Sequence, residues 1–199
     1  MSQTQKTRVS LILRVANRED VEAWRQFAEI YEPLVFRIAM VKGLQRADAE
    51  DLVQEVMSRV ARSVGSWDPD PRKGSFRGWI STIARNLVID FLRKNNRQPR
   101  TSDHSDIRRL IESTPVRDEA EYFDKEYERQ LFLNAAGHVR DTFSDNTWQA
   151  FWETAVRSQP IAEVAQRLAM SAGAVYVARS RVMAKLKAKV ESISCEEGR

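Results

Sequence analysis

The hydrophobic residues between positions 76 and 94 recur at spacings of three and four, which is typical of a helix with one buried face. The polar positions between them are mostly basic. We therefore predict a helix whose apolar side builds a core and whose basic side is either solvated or bound to something negative. The apolar positions are Phe76, Trp79, Ile80, Ile83, Ala84, Leu87, Val88, Phe91 and Leu92.

Two more helices are predicted ahead of this one. Apolar residues between 24 and 39 have helical spacing, although Pro33 predicts a kink or a join between two helices near Glu32. A second apolar stripe lies between 52 and 64. Residues 66–74 contain two prolines and a glycine, so we expect a loop there. Asn17, Asp48 and Ser75 are the side chains expected to cap the starts of the three helices.

Residues 161–186 have the layout of a helix-turn-helix, in which a turn at 169–171 separates a short helix from a longer one. Ala169 stands in the turn, where a positive φ would cost an alanine on the order of 1 kcal/mol. Five basic residues and no acidic one lie between 179 and 189, which suits contact with phosphates. The alternative is a plain amphipathic helical hairpin. The outward residues of the longer helix are predicted to be Tyr176, Val177, Ser180, Arg181 and Lys185, with Ser171 as its cap.

Charge and composition divide the chain and exclude several kinds of site. The net charge of +4 arises from two basic blocks around an acidic middle. We predict an all-α protein of two small helical domains, 1–98 and 119–199, joined by a linker at 99–118.

A single cysteine, Cys195, and two separated histidines exclude a disulfide framework and offer no metal-ligand pattern. Since no apolar run approaches the ~20 residues of a membrane span, we expect a reduced, cytoplasmic location.

Three motifs in a fixed order carry a resemblance to a known family. They read DAEDLVQEV at 48–56, FRGWISTIARNLVIDFLRK at 76–94 and EVAQRLAMSAGAVYVARSRV at 163–182. The chain resembles bacterial RNA polymerase sigma factors of the extracytoplasmic-function (ECF) class, which have two helical domains. The resemblance implies a non-catalytic subunit without a cofactor that binds core RNA polymerase and promoter DNA. It also implies an anti-sigma factor as a regulatory partner.

The resemblance assigns roles to residues of this chain. The first helical domain would bind polymerase and the −10 promoter element, and the helix-turn-helix would bind the −35 element. Polymerase clamp-helix contacts fall on Asp51, Gln54 and Glu55. Periodicity alone favours the alternative, that the acids among them only stabilise the helix N-terminus. The −10 contacts fall on Trp67, Arg77, Arg85, Asn86, Arg93 and Lys94. The −35 contacts fall on Ser171, Tyr176, Val177, Ser180, Arg181 and Lys185.

The recognition helix departs from the common family pattern. Many members begin this helix with a Thr-Val pair and have an arginine four residues after the threonine, whereas this chain has Ala174, Val175 and Ala178, with Arg179 one place later. The −35 sequence therefore cannot be inherited from other members. Two other classes of protein were weighed. A stand-alone helix-turn-helix repressor leaves the helix at 76–94 without a role, and an enzyme would need a constellation that the sequence does not offer.

Overall fold

The computed structural model describes residues 9–68, 74–95 and 116–195. These residues contain helices and no strand, so the prediction of an all-α protein is confirmed for them. The chain divides into two compact units, residues 1–130 with 197–199 and residues 131–196. The helices are α1 (Val9–Val15), α2 (Val21–Val41), α3 (Arg46–Ser63), α4 (Phe76–Asn95), α5 (Val116–Arg140), α6 (Asp145–Phe151), α7 (Ile161–Arg167) and α8 (Ala172–Cys195).

An aromatic cluster forms the centre of the first unit. Phe27 and Tyr31 of α2 stack with ring centroids 4.3 Å apart, and the ring of Phe76 meets each of them edge-on at 6.2 Å. Helix α3 packs against both α2 and α4. The apolar stripe predicted for α4 is therefore the core-facing side, and its members Ile80 and Leu87 are buried.

The predicted helix starts are only partly correct. Helix α2 begins after Asp20, whose Oδ1 accepts from the N–H of Ala23 at 2.9 Å, while Asn17 accepts from Glu19 ahead of the helix. Hydrogen bonds from Arg14 and from Ala23 hold the pKa of Asp20 below its usual value. The same cap position on α3 is taken by Gln45, so the prediction for Asp48, which lies in the first turn, is wrong.

The prediction made from Ser75 is confirmed, whereas one of the two made from Pro33 is wrong. Ser75 Oγ accepts from the N–H of Gly78 at 3.0 Å, so the predicted cap of α4 is confirmed. Of the two expectations near Glu32, the join is wrong, because residues 21–41 form one helix with Pro33 inside it, and the kink stays a prediction. The packing of α2 on α1 and α3 offsets the backbone hydrogen bond that proline removes.

The second unit has two small cores. One gathers residues around Phe151 and Val182, and Trp148 stacks on Trp152 with ring centroids 5.7 Å apart. The other lies where α7 crosses α8 and contains Ala165 and Val175. A short helix and a longer helix therefore lie on either side of a turn where the sequence predicted them, and their function as a helix-turn-helix stays a prediction. The two compact units divide inside α5, at Gln130, whereas the sequence placed the start of the second domain at residue 119. The domain boundaries drawn from the sequence stay a prediction.

The turn between α7 and α8 contains the positive φ expected there. Ala169 has φ 52°, and its N–H donates to the carbonyl of Gln166 at 3.2 Å. Glycine adopts this conformation without the clash between Cβ and the carbonyl oxygen. We expect Ala169→Gly to raise the free energy of unfolding of this unit by about 0.5–1 kcal/mol, after glycine's greater loss of chain entropy is subtracted.

Thermal and urea unfolding monitored by circular dichroism would measure this change. Ala172→Gly is a matched control, since it places glycine in the first turn of α8 without a positive φ. The control should destabilise. A loss of stability in Ala169→Gly as large as that of the control would contradict the prediction.

Candidate polymerase and nucleic-acid interfaces

The acidic side of α3 borders a groove between α3 and α4. Asp51 and Gln54 are exposed, and Glu55 is half-buried. The carboxylate of Glu55 accepts from Arg59 Nε at 3.0 Å and lies 3.6 Å from Arg62 Nη2. The groove has a volume of about 900 Å³ and is lined by Asp51, Gln54, Glu55, Ser58, Arg59, Leu87, Asp90, Phe91 and Arg93. The three residues predicted to bind polymerase thus lie together on one surface.

This groove also contains one residue that the sequence assigned to DNA. Arg93 is exposed, and its Nη1 lies 3.6 Å from Asp90 Oδ1. Carboxylates and guanidinium groups therefore both line the groove. Such a surface suits a partner with charges of both signs, and exposed pairs of this kind exchange partners at little free-energy cost.

A second groove next to the first was not predicted from the sequence. It lies between α2 and α3, has a volume of about 520 Å³ and shares Gln54 and Ser58 with the first groove. Trp24 and Met57 line it and are half-buried, although their apolar spacing predicted core positions. Periodicity identifies the apolar side of a helix, but it does not say which of its edges remain uncovered.

The predicted −10 residues of α4 occupy different environments. Asn86 and Arg93 are exposed, and Arg85 is half-buried. The side chain of Lys94 and residues 69–73 of the loop lie outside the described part of the chain. Asn86 and Arg93 are separated by seven positions, or two turns, and so lie on the same side of the helix.

Arg77 is not on the exposed side of α4, so the expected exposed position is wrong, and its assignment to the −10 element stays a prediction. Its side chain is buried, and Nε donates to Asp124 Oδ1 of α5 at 2.6 Å. The guanidinium carbon lies 4.7 Å from the ring centroid of Tyr127. The first half of α5 covers this position, and the sequence of α4 alone contains no sign of that helix.

Trp67, to which the resemblance assigns a −10 contact, packs against the core of the first unit. Its ring meets the edge of Phe76 at 5.2 Å with an interplanar angle of 79°, and the residue is half-buried. The structure therefore places Trp67 against the aromatic cluster of the first unit. One side of its indole remains partly accessible.

The predicted outward residues of α8 are exposed. Tyr176 and Val177 are each more than half exposed, and Ser180, Arg181 and Lys185 also face solvent. Val182 and Leu186 lie on the opposite, buried side. Ser171 Oγ accepts from the N–H of Ala174 at 3.1 Å, so its capping role is confirmed. Exposed apolar and basic side chains on one helix surface are the groups that contact thymine methyl groups and phosphates in a major groove.

Within residues 9–68, 74–95 and 116–195, no group of three or more histidine, cysteine or acidic residues could hold a metal ion. No helix of the part that the structure describes is long and apolar enough to cross a membrane.

Comparisons with known proteins agree with the sequence motifs. Residues 27–98 match the sigma-70 region 2 family. The chain is 36% identical over 38% of its length to the ECF RNA polymerase sigma factor SigE of Mycolicibacterium smegmatis, covering 28% of that protein. It is 35% identical over 48% of its length to RpoE of Cereibacter sphaeroides, and 30% identical over 44% to BldN of Streptomyces coelicolor, covering 51% and 33% of them.

These relatives are matched over about half of their own length or less. The matched region contains the aromatic cluster, the groove beside Glu55 and the whole of α4. Residues 27–98 of this chain are therefore similar to the sigma-70 region 2 family, and the predicted resemblance to ECF sigma factors is confirmed.

Proposed function

We propose that this protein is a dissociable promoter-specificity subunit of bacterial RNA polymerase. In this role it binds the core enzyme, directs it to promoters and helps to melt the −10 region, without a catalytic centre of its own. The observation that carries the proposal is the region 2 match at 27–98, within which α3 exposes Asp51 and Gln54 beside a groove. The same role implies action in the cytoplasm and control by an anti-sigma factor.

The polymerase contact is assigned to the groove between α3 and α4. Its acidic side chains are exposed or half-buried, so a basic partner surface can reach them. The clamp helices of the polymerase's largest catalytic subunit are the partner that the family resemblance implies. Binding at mixed-charge surfaces depends on charge complementarity, which governs the association rate and the choice of partner.

The DNA contacts are assigned to two helices. Asn86 and Arg93 of α4, with Arg85 beside them, would contact the −10 element, where a melted base needs a hydrogen-bonding pocket and its phosphates need cations. Residues of α8 would contact the −35 element in the major groove. Val177 and Tyr176 offer apolar contact to bases, and Arg181 and Lys185 offer charge to phosphates.

Removing the acids of α3 should weaken polymerase binding. We expect Asp51→Ala with Glu55→Ala to lower the affinity for core polymerase roughly tenfold, on the order of 1.4 kcal/mol, because opposite charges on the partner lose their complement. The affinity would be measured by fluorescence anisotropy with labelled protein. Glu19→Ala with Glu163→Ala is the control, since both residues are exposed and lie outside the groove. Equal affinity for the two variants would contradict the assignment.

Changes on α4 should affect DNA melting more than polymerase binding. We expect Asn86→Ala and Arg85→Gln each to reduce the open-promoter fraction, by an amount equivalent to about 1–3 kcal/mol if a base contact is lost. Permanganate reactivity of the −10 thymines in reconstituted holoenzyme would measure melting. Because Arg85 is half-buried, circular dichroism should verify its helix content. Normal melting combined with weakened polymerase affinity would show that the two surfaces are assigned the wrong way round.

Removing one cation from α8 should reduce the salt dependence of promoter binding. Each phosphate contact to duplex DNA contributes about 0.9 to the slope of log K against log salt concentration. We expect Lys185→Gln to lower this slope by that amount in the holoenzyme and to weaken binding to all promoters about equally. Lys125→Gln, an exposed lysine of α5, is the control. An unchanged slope in Lys185→Gln would remove this residue from the DNA surface.

A further inference from the structure

Two neighbouring apolar side chains are exposed on the surface of α8 that is assigned to DNA. Tyr176 is 59% exposed and Val177 is 56% exposed. Apolar surface left in water is unfavourable, and valine is a weaker helix former than the exposed alanines at 172 and 184 of the same helix. Neither packing nor helix propensity therefore accounts for a valine at position 177. The remaining explanation is a binding partner that covers it.

The same surface offers few hydrogen-bonding groups to bases. Its exposed residues between 171 and 181, a stretch that the structure describes throughout, include one charged side chain, that of Arg181, and no amide side chain. Ser171 Oγ accepts the capping hydrogen bond. Bidentate contact to guanine uses arginine or lysine, and bidentate contact to adenine uses asparagine or glutamine. The exposed side chains in the first two turns of α8 contain none of these groups.

Gly173 leaves a gap in this surface one turn before Val177. The two residues are four positions apart and so lie on the same side of the helix. A Cβ added at Gly173 would lie 3.9 Å from Ser171 Oγ, which is an ordinary van der Waals contact, and the φ of Gly173 is not positive. The fold therefore has room for alanine, which loses less chain entropy on folding. A missing side chain here lets another molecule approach the backbone of α8 closely.

Thymine presents the one apolar group in the major groove, its C5-methyl group. We propose that this protein recognises its −35 element through thymine methyl groups in contact with Val177, and that Gly173 lets α8 enter the groove deeply enough for this contact. The inference rests on the proposed function, because it takes α8 as the helix that enters the −35 major groove. Tyr176 extends the apolar surface, and Arg181 lies one turn after Val177, where it can reach a phosphate.

A methyl contact discriminates between base pairs in two ways. A cytosine in place of the thymine lacks the methyl group, so apolar surface on Val177 stays in water. It also presents an amino group that Val177 cannot accept from, and an unsatisfied donor in a closed interface is unfavourable. Deoxyuridine differs from thymidine only by the methyl group and therefore isolates the first effect.

The first experiment identifies the element with reconstituted holoenzyme. A pool of duplexes randomised in the −35 and −10 regions is bound, and the bound fraction is sequenced. The upstream element should contain thymine at neighbouring base pairs. An enriched upstream element that contains no thymine on either strand would overturn the proposal.

The second experiment removes single methyl groups from a selected duplex. Replacing a contacted thymidine with deoxyuridine should weaken holoenzyme binding about fourfold, which corresponds to the transfer of one methyl group out of water. Cytosine at the same position should weaken binding further, and 5-methylcytosine should recover part of that loss. Unchanged affinity for every deoxyuridine duplex would overturn the proposal.

Val177→Ala tests which side chain meets the methyl group. This variant should bind the thymidine and deoxyuridine duplexes with nearly equal affinity, because the groups that contact the methyl are gone. Val41→Ala is the matched control, since Val41 of α2 is 59% exposed, and it should keep the wild-type preference. A wild-type preference in Val177→Ala would overturn the assignment to Val177.

Gly173→Ala separates close approach from a structural role. It should raise the melting temperature of the second unit while weakening binding to the selected duplex severalfold. Gly137→Ala is the control, because Gly137 is an exposed helical glycine of the same unit with open space around its Cβ position. The control should be stabilised without a change in DNA affinity. Wild-type affinity in Gly173→Ala would overturn the role of Gly173.

The outcomes also separate this inference from the proposed function. If holoenzyme enriches no common sequence from the randomised pool, the promoter-specificity role is overturned and this inference with it. If holoenzyme enriches a common sequence and transcribes from it, but binding is insensitive to deoxyuridine, the promoter-specificity role stands and only the methyl contact is overturned.

Discussion

The burial of Phe76 against Phe27 and Tyr31 is the contact on which the arrangement of the first unit depends. It fixes the rotation of α4 about its own axis at the point where the chain enters that helix. With Phe76 inside, the next residue, Arg77, is directed toward α5, and Asn86 two to three turns later is directed to solvent. The division of α4 into core, ion-pairing and exposed positions follows from this one aromatic contact.

Local periodicity was enough to predict most of the helices and the outer surface of α8. The buried stripe of α4 and the exposed set around Val177 and Arg181 follow from the 3.6-residue repeat alone, because the buried residues of each helix lie along one side of it. Ser75 and Ser171 were predictable for a similar reason. A serine cap depends only on the backbone within three residues of it.

What could not be predicted depends on contacts that are distant in sequence. Arg77 and its partner Asp124 are 47 positions apart, and nothing near Arg77 indicates that a later helix covers it. Pro33 would normally interrupt a helix, but tertiary packing of α2 outweighs the missing hydrogen bond. The groove beside Trp24 is a similar case, because its accessibility depends on how far α2 and α3 diverge.

The π-helical segment Trp152–Val156 after α6 has a consequence for insertions and deletions. The N–H of Arg157 donates to the carbonyl of Trp152 at 3.0 Å. This hydrogen bond closes a turn that contains one residue more than a turn of α-helix. Deleting one residue here would restore α-helical spacing and leave the chain that follows close to its present orientation, because the wider turn already takes up one extra residue. The same deletion inside α6 would rotate everything that follows by about 100° and turn Ile161 and Ala165 of α7 away from α8. This short stretch should therefore tolerate the loss of one residue better than the helix before it.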